Sequence, residues 1–362
     1  MWSCPNCGSW IFASRICPNC GAWVGDDSAD EQDSDHPVEL AIMGDTLLSC
    51  SGREAKVVVP AGVKELEEYS FYNDTALQEI ELPEGLEEIG ESAFEGCSSL
   101  KRIVIPEGVR SIREKTFCEC TALQEIRLPD GLELIGRSAF SECKALQEIR
   151  LPEGLKEIGS DAFSGCRSLR QITVPGGVKC IETAVFRSCR ALQEVHLPEG
   201  LEQIGMFAFE ACDTLTRIVL PASLKRLCRG AFENCTSLLE AQLPDGLEEL
   251  QDDAFEYCRS LQKVTIPAQV RQIEQAAFYY CQSLQEVQLP EELNEIGEDA
   301  FAHCWALKRI VIPAGVEKVG EHAFWECYSL QNIAVLSNDT EIAEDAFEDC
   351  PGTVKRGTGS LF

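Results

Sequence analysis

Residues 77–99 read LQEIELPEGLEEIGESAFEGCSS, and the apolar spacing changes partway through them. Leu77, Ile80 and Leu82 suit a short strand with its entry, closed by Pro83, which has no amide for further pairing. Leu86, Ile89, Ala93 and Phe94 follow at intervals of three and four residues, which fits a helical turn or a 3₁₀ segment. The stretch is therefore expected to form one strand and one return turn. A unit of this size cannot bury its apolar face alone and must stack on copies of itself.

Copies are present on both sides. Phe94 belongs to a column that begins at Phe71 and ends at Phe347, stepping by 23 residues without an insertion. Three residues after each Phe stands a Cys, from Cys97 to Cys350, with Asp74 in its place in the first unit. A Pro column runs in the same register from Pro60 to Pro313 and fails at Leu336. A fixed period of this length specifies a solenoid with parallel strands and a continuous core. The unit pattern L-x-x-I-x-L-P-x-x-[LV]-x-x-I-x-x-x-A-F-x-x-C resembles the BspA-like leucine-rich repeat family over about residues 54–350. The resemblance implies a leucine-rich-repeat fold and a role in attachment at a bacterial surface, with binding of host or matrix proteins.

The remaining chain divides around the repeats. Residues 1–25 are expected to be a small zinc ribbon and residues 26–37 an acidic flexible linker. Residues 38–62 are expected to form a capping hairpin, turning at Gly44-Asp45, and the first strand. The solenoid spans 63–350, and residues 351–362 supply a closing strand and tail. The ribbon reading rests on two identical knuckles, Cys4-Pro-Asn-Cys7-Gly and Cys17-Pro-Asn-Cys20-Gly. Four thiolates in two close pairs suit one tetrahedral Zn²⁺ in a closed, structural site, with iron as the chemical competitor. Trp2, Trp10, Ile11, Phe12 and Trp23 would be its miniature core. The linker, DDSADEQDSDHP, carries six acidic residues and no Lys or Arg.

Charge and composition narrow the function classes. The chain has 61 Asp+Glu against 31 Lys+Arg, a formal net charge of −30, which disfavours a nucleic-acid partner. No stretch approaches 18 consecutive apolar residues, so no membrane span is expected. The first 25 residues lack the apolar run of a secretory signal, so a cytoplasmic location is expected; the family resemblance points instead to the cell surface. The column cysteines read as reduced, buried turn-fillers bonded to neighbouring backbone. Cys50, Cys118, Cys180 and Cys228 lie outside both column and knuckles and are the candidates for reactivity.

On the strand face an outward column reads Glu79, Arg102, Glu125, Glu148, Gln171, Glu194, Arg217, Glu240, Lys263, Glu286, Arg309, Asn332. Opposite charges on most neighbouring strands make it a register-fixing ladder. None of the four histidines, His36, His196, His303 and His322, sits in a catalytic motif, and no phosphate-binding glycine loop is present, so a non-enzymatic scaffold is expected. One departure from the repeat stands out. One, two and four places after Phe, columns that are mostly small or polar elsewhere turn aromatic in the late repeats: Tyr257, Tyr279, Tyr280, His303, Trp305, Trp325 and Tyr328. These residues form the candidate site for a protein partner; the competing reading has the rings stack on each other or cover the C-terminal edge.

Overall fold

Pro83 and its equivalents divide most units into two short runs of parallel strand. In this computed structural model the described residues are 38–357, preceded by the backbone of Trp2–Ser3 and Trp10–Ile11, which pair antiparallel. The chain separates into a unit Met1–Pro37 and a unit Val38–Phe362. The knuckle cysteines Cys4, Cys7, Cys17 and Cys20 and the acidic run 26–37 lie outside the described residues.

In the second unit, Glu79–Glu81 pairs in parallel with Lys56–Val58, and Arg102 stands beside Glu79 as the ladder continues. After the proline, the Leu86 amide closes a turn on the Pro83 carbonyl at 3.0 Å. A second strand, Glu88–Ile89, then pairs with Glu65–Leu66 of the preceding coil. At the N-terminal end, Glu39–Met43 and Thr46–Ser51 make an antiparallel hairpin through Gly44, whose φ of 67° suits a residue without Cβ. Thr46–Leu47 then pairs with Glu65–Leu66 and covers the first edge. The strand ladder breaks at 148–150, and again between Glu194–His196 and Arg217–Val219 and between Glu286–Gln288 and Arg309–Ile312.

The core follows the sequence columns. Twelve phenylalanines, Phe71 to Phe324, are fully buried. Each ring stacks on the next, with centroids 5.0–5.7 Å apart and planes within 3–18° along the run to Phe347. Every column cysteine donates its S–H to the carbonyl of the Phe one coil earlier, from Cys97 to Phe71 through Cys350 to Phe324, at 3.0–3.4 Å. Asp74 has no preceding Phe carbonyl to meet; its Oδ1 instead accepts from the amides of Ala76 and Leu77.

The return segment differs from expectation. Its three- and four-residue spacing produces no helix among the described residues; the segment is a chain of tight turns. Two residues per unit sit at positive φ, for example Ser92 (53°) with Gly96 (75°) and Lys115 (53°) with Glu119 (60°), which interrupts any run of helical dihedrals. Alternate amides then reach the next coil: Ser92 to Glu114, Phe94 to Thr116 and Gly96 to Cys118, at 2.8–3.0 Å. A helix would have used those donors within the segment; here they tie coil to coil.

Candidate functional site

The late return segments carry the seven aromatic residues of the candidate site. Tyr257, Tyr280 and His303 occupy the left-handed position two places after Phe, with φ of 56°, 59° and 58°. Earlier coils place Asn73, Gly96, Gly165 or Asn234 there, for which that conformation is easy, or the unbranched or small Glu119, Glu142, Ser188 and Ala211. A bulky ring in it carries a conformational cost of about 1 kcal/mol, so the ring contacts rather than local preference account for its presence.

Those contacts join all seven residues. Tyr280 lies at the centre, with ring centroids 5.2 Å from Tyr257, 5.2 Å from Tyr279, 4.3 Å from His303 and 5.8 Å from Trp305. Trp305 reaches Tyr328 at 6.3 Å, and His303 meets Trp325 at 4.7 Å. His322 joins through Trp325 at 5.3 Å, a member the column comparison missed because its own position is polar in most coils. The aromatic columns are not uniformly exposed. Trp305 and Tyr328 are exposed at 37% and 54%, Tyr257, Tyr279, Tyr280 and Trp325 are half-buried, and His303 is buried at 5% beneath its neighbours. Mutual stacking and an outward face therefore coexist in one cluster.

Carboxylates surround the rings. Glu326 Oε2 lies 3.0 Å from His303 Nδ1, yet off the hydrogen-bond direction, so that buried nitrogen has no aligned partner. The Tyr328 hydroxyl has its ionisation pushed up to about 12, first by its hydrogen bond to Glu326 and then by partial burial. Burial, with Tyr257 and Asp299 nearby, pushes Tyr279 up to about 12. Burial and the neighbouring Asp253 and Glu233 hold the Glu256 carboxyl at about 7. His322 Nε2 is 3.4 Å from Asp345. The sequence register contains this acidic surround, since Glu256 and Glu326 sit in the columns one and two places after Phe. The arrangement is a broad face of rings and carboxylates suited to non-covalent contact.

Elsewhere the charge ladder of the strand face forms in part. Glu79 pairs with Arg102 at 2.6 Å, Glu240 with Arg217 at 3.5 Å, and Glu286 with both Lys263 and Arg309 at 3.4 and 3.8 Å. All are solvent-exposed and contribute little individually. Among the off-column thiols, Cys50, Cys118 and Cys180 are pushed up to about 12, 11 and 12, mainly by burial, and Cys228 is raised for the same reason. None has the lowered pKa of a reactive cysteine.

Stacked parallel coils, a buried phenylalanine column and a turn-filling cysteine define a leucine-rich-repeat solenoid. The BspA type leucine rich repeat region (6 copies) matches residues 42–170, 111–239, 156–273 and 248–355, and the chain belongs to that family. A leucine-rich repeat protein from Bacteroides ovatus is similar at 30% identity, with 90% of this chain and 94% of that one covered and a TM-score of 0.71. The Treponema pallidum leucine rich repeat protein is 35% identical over 49% of this chain and 87% of its own, with a TM-score of 0.46. A leucine rich cell surface protein from Faecalibacterium prausnitzii shares the fold at 24% identity, 93% and 97% coverage and a TM-score of 0.52. No curated protein matches the chain.

Proposed function

We propose that this chain is a non-enzymatic recognition scaffold that captures a protein partner on the aromatic face of its last coils. The supporting observation is the concentration of seven rings, Tyr257 to Tyr328, in columns that are mostly small or polar elsewhere, with Trp305 and Tyr328 turned to solvent. Exposed aromatic side chains clustered in this way supply much of the energy of protein interfaces. The reading places the protein in a reducing compartment, since each column cysteine uses its S–H as a donor and a disulfide would remove it. The same reading includes one structural zinc ion on Cys4, Cys7, Cys17 and Cys20, supported by the duplicated Cys-Pro-Asn-Cys-Gly knuckle. Elemental analysis of the full chain is expected to return about one zinc per molecule, and a metal-free chain would remove that part.

The test is capture of partners from host lysate and, separately, from culture medium, comparing the native chain with Trp305→Ser/Tyr328→Ser. Both side chains are exposed, so the double variant should keep its melting temperature, within about 0.5 kcal/mol per site. Capture should fall at least about tenfold, as expected for loss of aromatic anchors. Unchanged capture overturns the reading. Partners found only in the medium would assign the surface role instead.

A further inference from the structure

We propose that the aromatic face receives a cationic segment of a peptide chain, its Arg or Lys side chains lying against the rings and neutralising the carboxylates around them. The inference rests on the recognition role proposed above and adds the chemistry of the partner. Three observations support it. The five return segments 251–260, 274–283, 297–306, 320–329 and 343–352 contain twelve Asp+Glu and one Arg, Arg259. On the same face, four earlier segments, 136–145, 159–168, 182–191 and 205–214, contain five Asp+Glu balanced by Arg137, Lys144, Arg167, Arg187 and Arg190. Segments 67–76 and 90–99 are as acidic, with five Asp+Glu and no Lys or Arg, so it is the coincidence of negative charge with the seven clustered rings that sets the late coils apart. Among the described residues Glu256, Asp299 and Asp349 form no ion pair with Lys or Arg.

The rings already accept a cation. The Arg259 guanidinium lies 5.8 Å from the Tyr257 ring centroid, within the range at which a cation is attracted to an aromatic face. Tyr280, Trp305 and Tyr328 continue that surface with no protein cation set over them among the described residues. At the centre, the buried His303 Nδ1 lacks an aligned hydrogen bond although Glu326 stands 3.0 Å away. That nitrogen is closed off from solvent, so the group an incoming donor can reach is the partly exposed Glu326 carboxylate beside it. A guanidinium brings several N–H donors in one plane, satisfies carboxylates in pairs and stacks on aromatic rings, so Arg fits the face better than Lys.

The probe is a fluorescent dodecapeptide of alternating Arg and Gly, titrated into the full chain at about 0.15 M salt, where long-range attraction by the overall negative charge is screened. Lys-Gly and Glu-Gly dodecapeptides and a soluble neutral polysaccharide are the comparisons. Saturable binding in the order Arg, then Lys, with none for Glu, is expected. Trp305→Ser/Tyr328→Ser, which changes no charge, should weaken the Arg peptide at least about tenfold. Glu256→Gln/Glu326→Gln should weaken it similarly, whereas Lys144→Ser/Arg167→Ser on the earlier coils should not weaken it. Equal binding by the charge-neutral aromatic variant would mean general attraction to an acidic protein and would overturn the proposal, as would preference for the polysaccharide. If the peptide fails to bind while the aromatic variant still loses its lysate partner, the cationic inference falls and the recognition reading stands. If partner capture is unaffected, both fall.

Discussion

Twelve cysteines occupy one turn position because a small side chain with a weak donor can reach the Phe carbonyl one coil earlier, which already accepts a turn amide of its own coil. Burial pushes thiols such as Cys143 and Cys281 well above the usual range. Cys350, in the last coil and only half-buried, differs: its pKa is lowered because, once it ionises, the Cys327 S–H can turn from the Phe301 carbonyl to its sulfur. At pH 8 alkylation of the folded chain should therefore begin at Cys350, and Cys350→Ser should remove the fast phase; faster labelling of Cys50 or Cys118 would contradict this. Glu256 offers a second test at this scale. Its folded pKa of about 7 lies above the reference 4.5, so its contribution to stability is fully present below pH 4.5 and is lost as pH rises through 7. Glu256→Gln, which cannot ionise, should raise the melting temperature at pH 8 and leave it nearly unchanged at pH 4. Equal shifts at both pH values would assign the effect to packing.

The return segment is the element that sequence spacing describes least well. Intervals of three and four residues are common to a helix and to successive tight turns, and the deciding hydrogen bonds run to a neighbour about 22 residues away. A local signal was nonetheless present. Gly96, Asp161, Gly165, Gly230 and Asn234 are residues tolerant of positive φ at these turn positions, although other units place Lys115, Glu119, Ala184 or Phe207 there. The aromatic cluster was legible as a set of columns, but its layering was not, because exposure in the early coils does not reveal that Tyr279 and Trp325 close over His303. That layering makes a prediction for the segment 320–329. Trp325 is half-buried against His303 and His322, so Trp325→Ala should destabilise the fold by about 2–3 kcal/mol, whereas Trp305→Ala should cost about 0.5 kcal/mol. Urea midpoints for the two variants decide it; equal losses would mean that Trp305 is as structural as Trp325.

Across the solenoid, the period was decisive because each coil contacts mainly its neighbours and repeats their solution, so one correct unit specifies the stack. What the period leaves unspecified is where the repeat departs from itself, and the clearest departure falls in the last coils: rings in place of small or polar residues, set among carboxylates. The first coils are covered by the hairpin Glu39–Met43 and Thr46–Ser51, while the closing strand Thr353–Arg356 is exposed along its length. An edge-covering role for the rings and a recognition role thus predict different protected regions. Hydrogen–deuterium exchange of the full chain, alone and with the captured partner or the Arg-Gly dodecapeptide, measures this directly. The account predicts added protection in segments 253–260, 276–283, 299–306 and 322–329, with the strands Arg102–Val104 and Arg217–Val219 unchanged. Protection confined to those strands, with the aromatic segments unaffected, would contradict it.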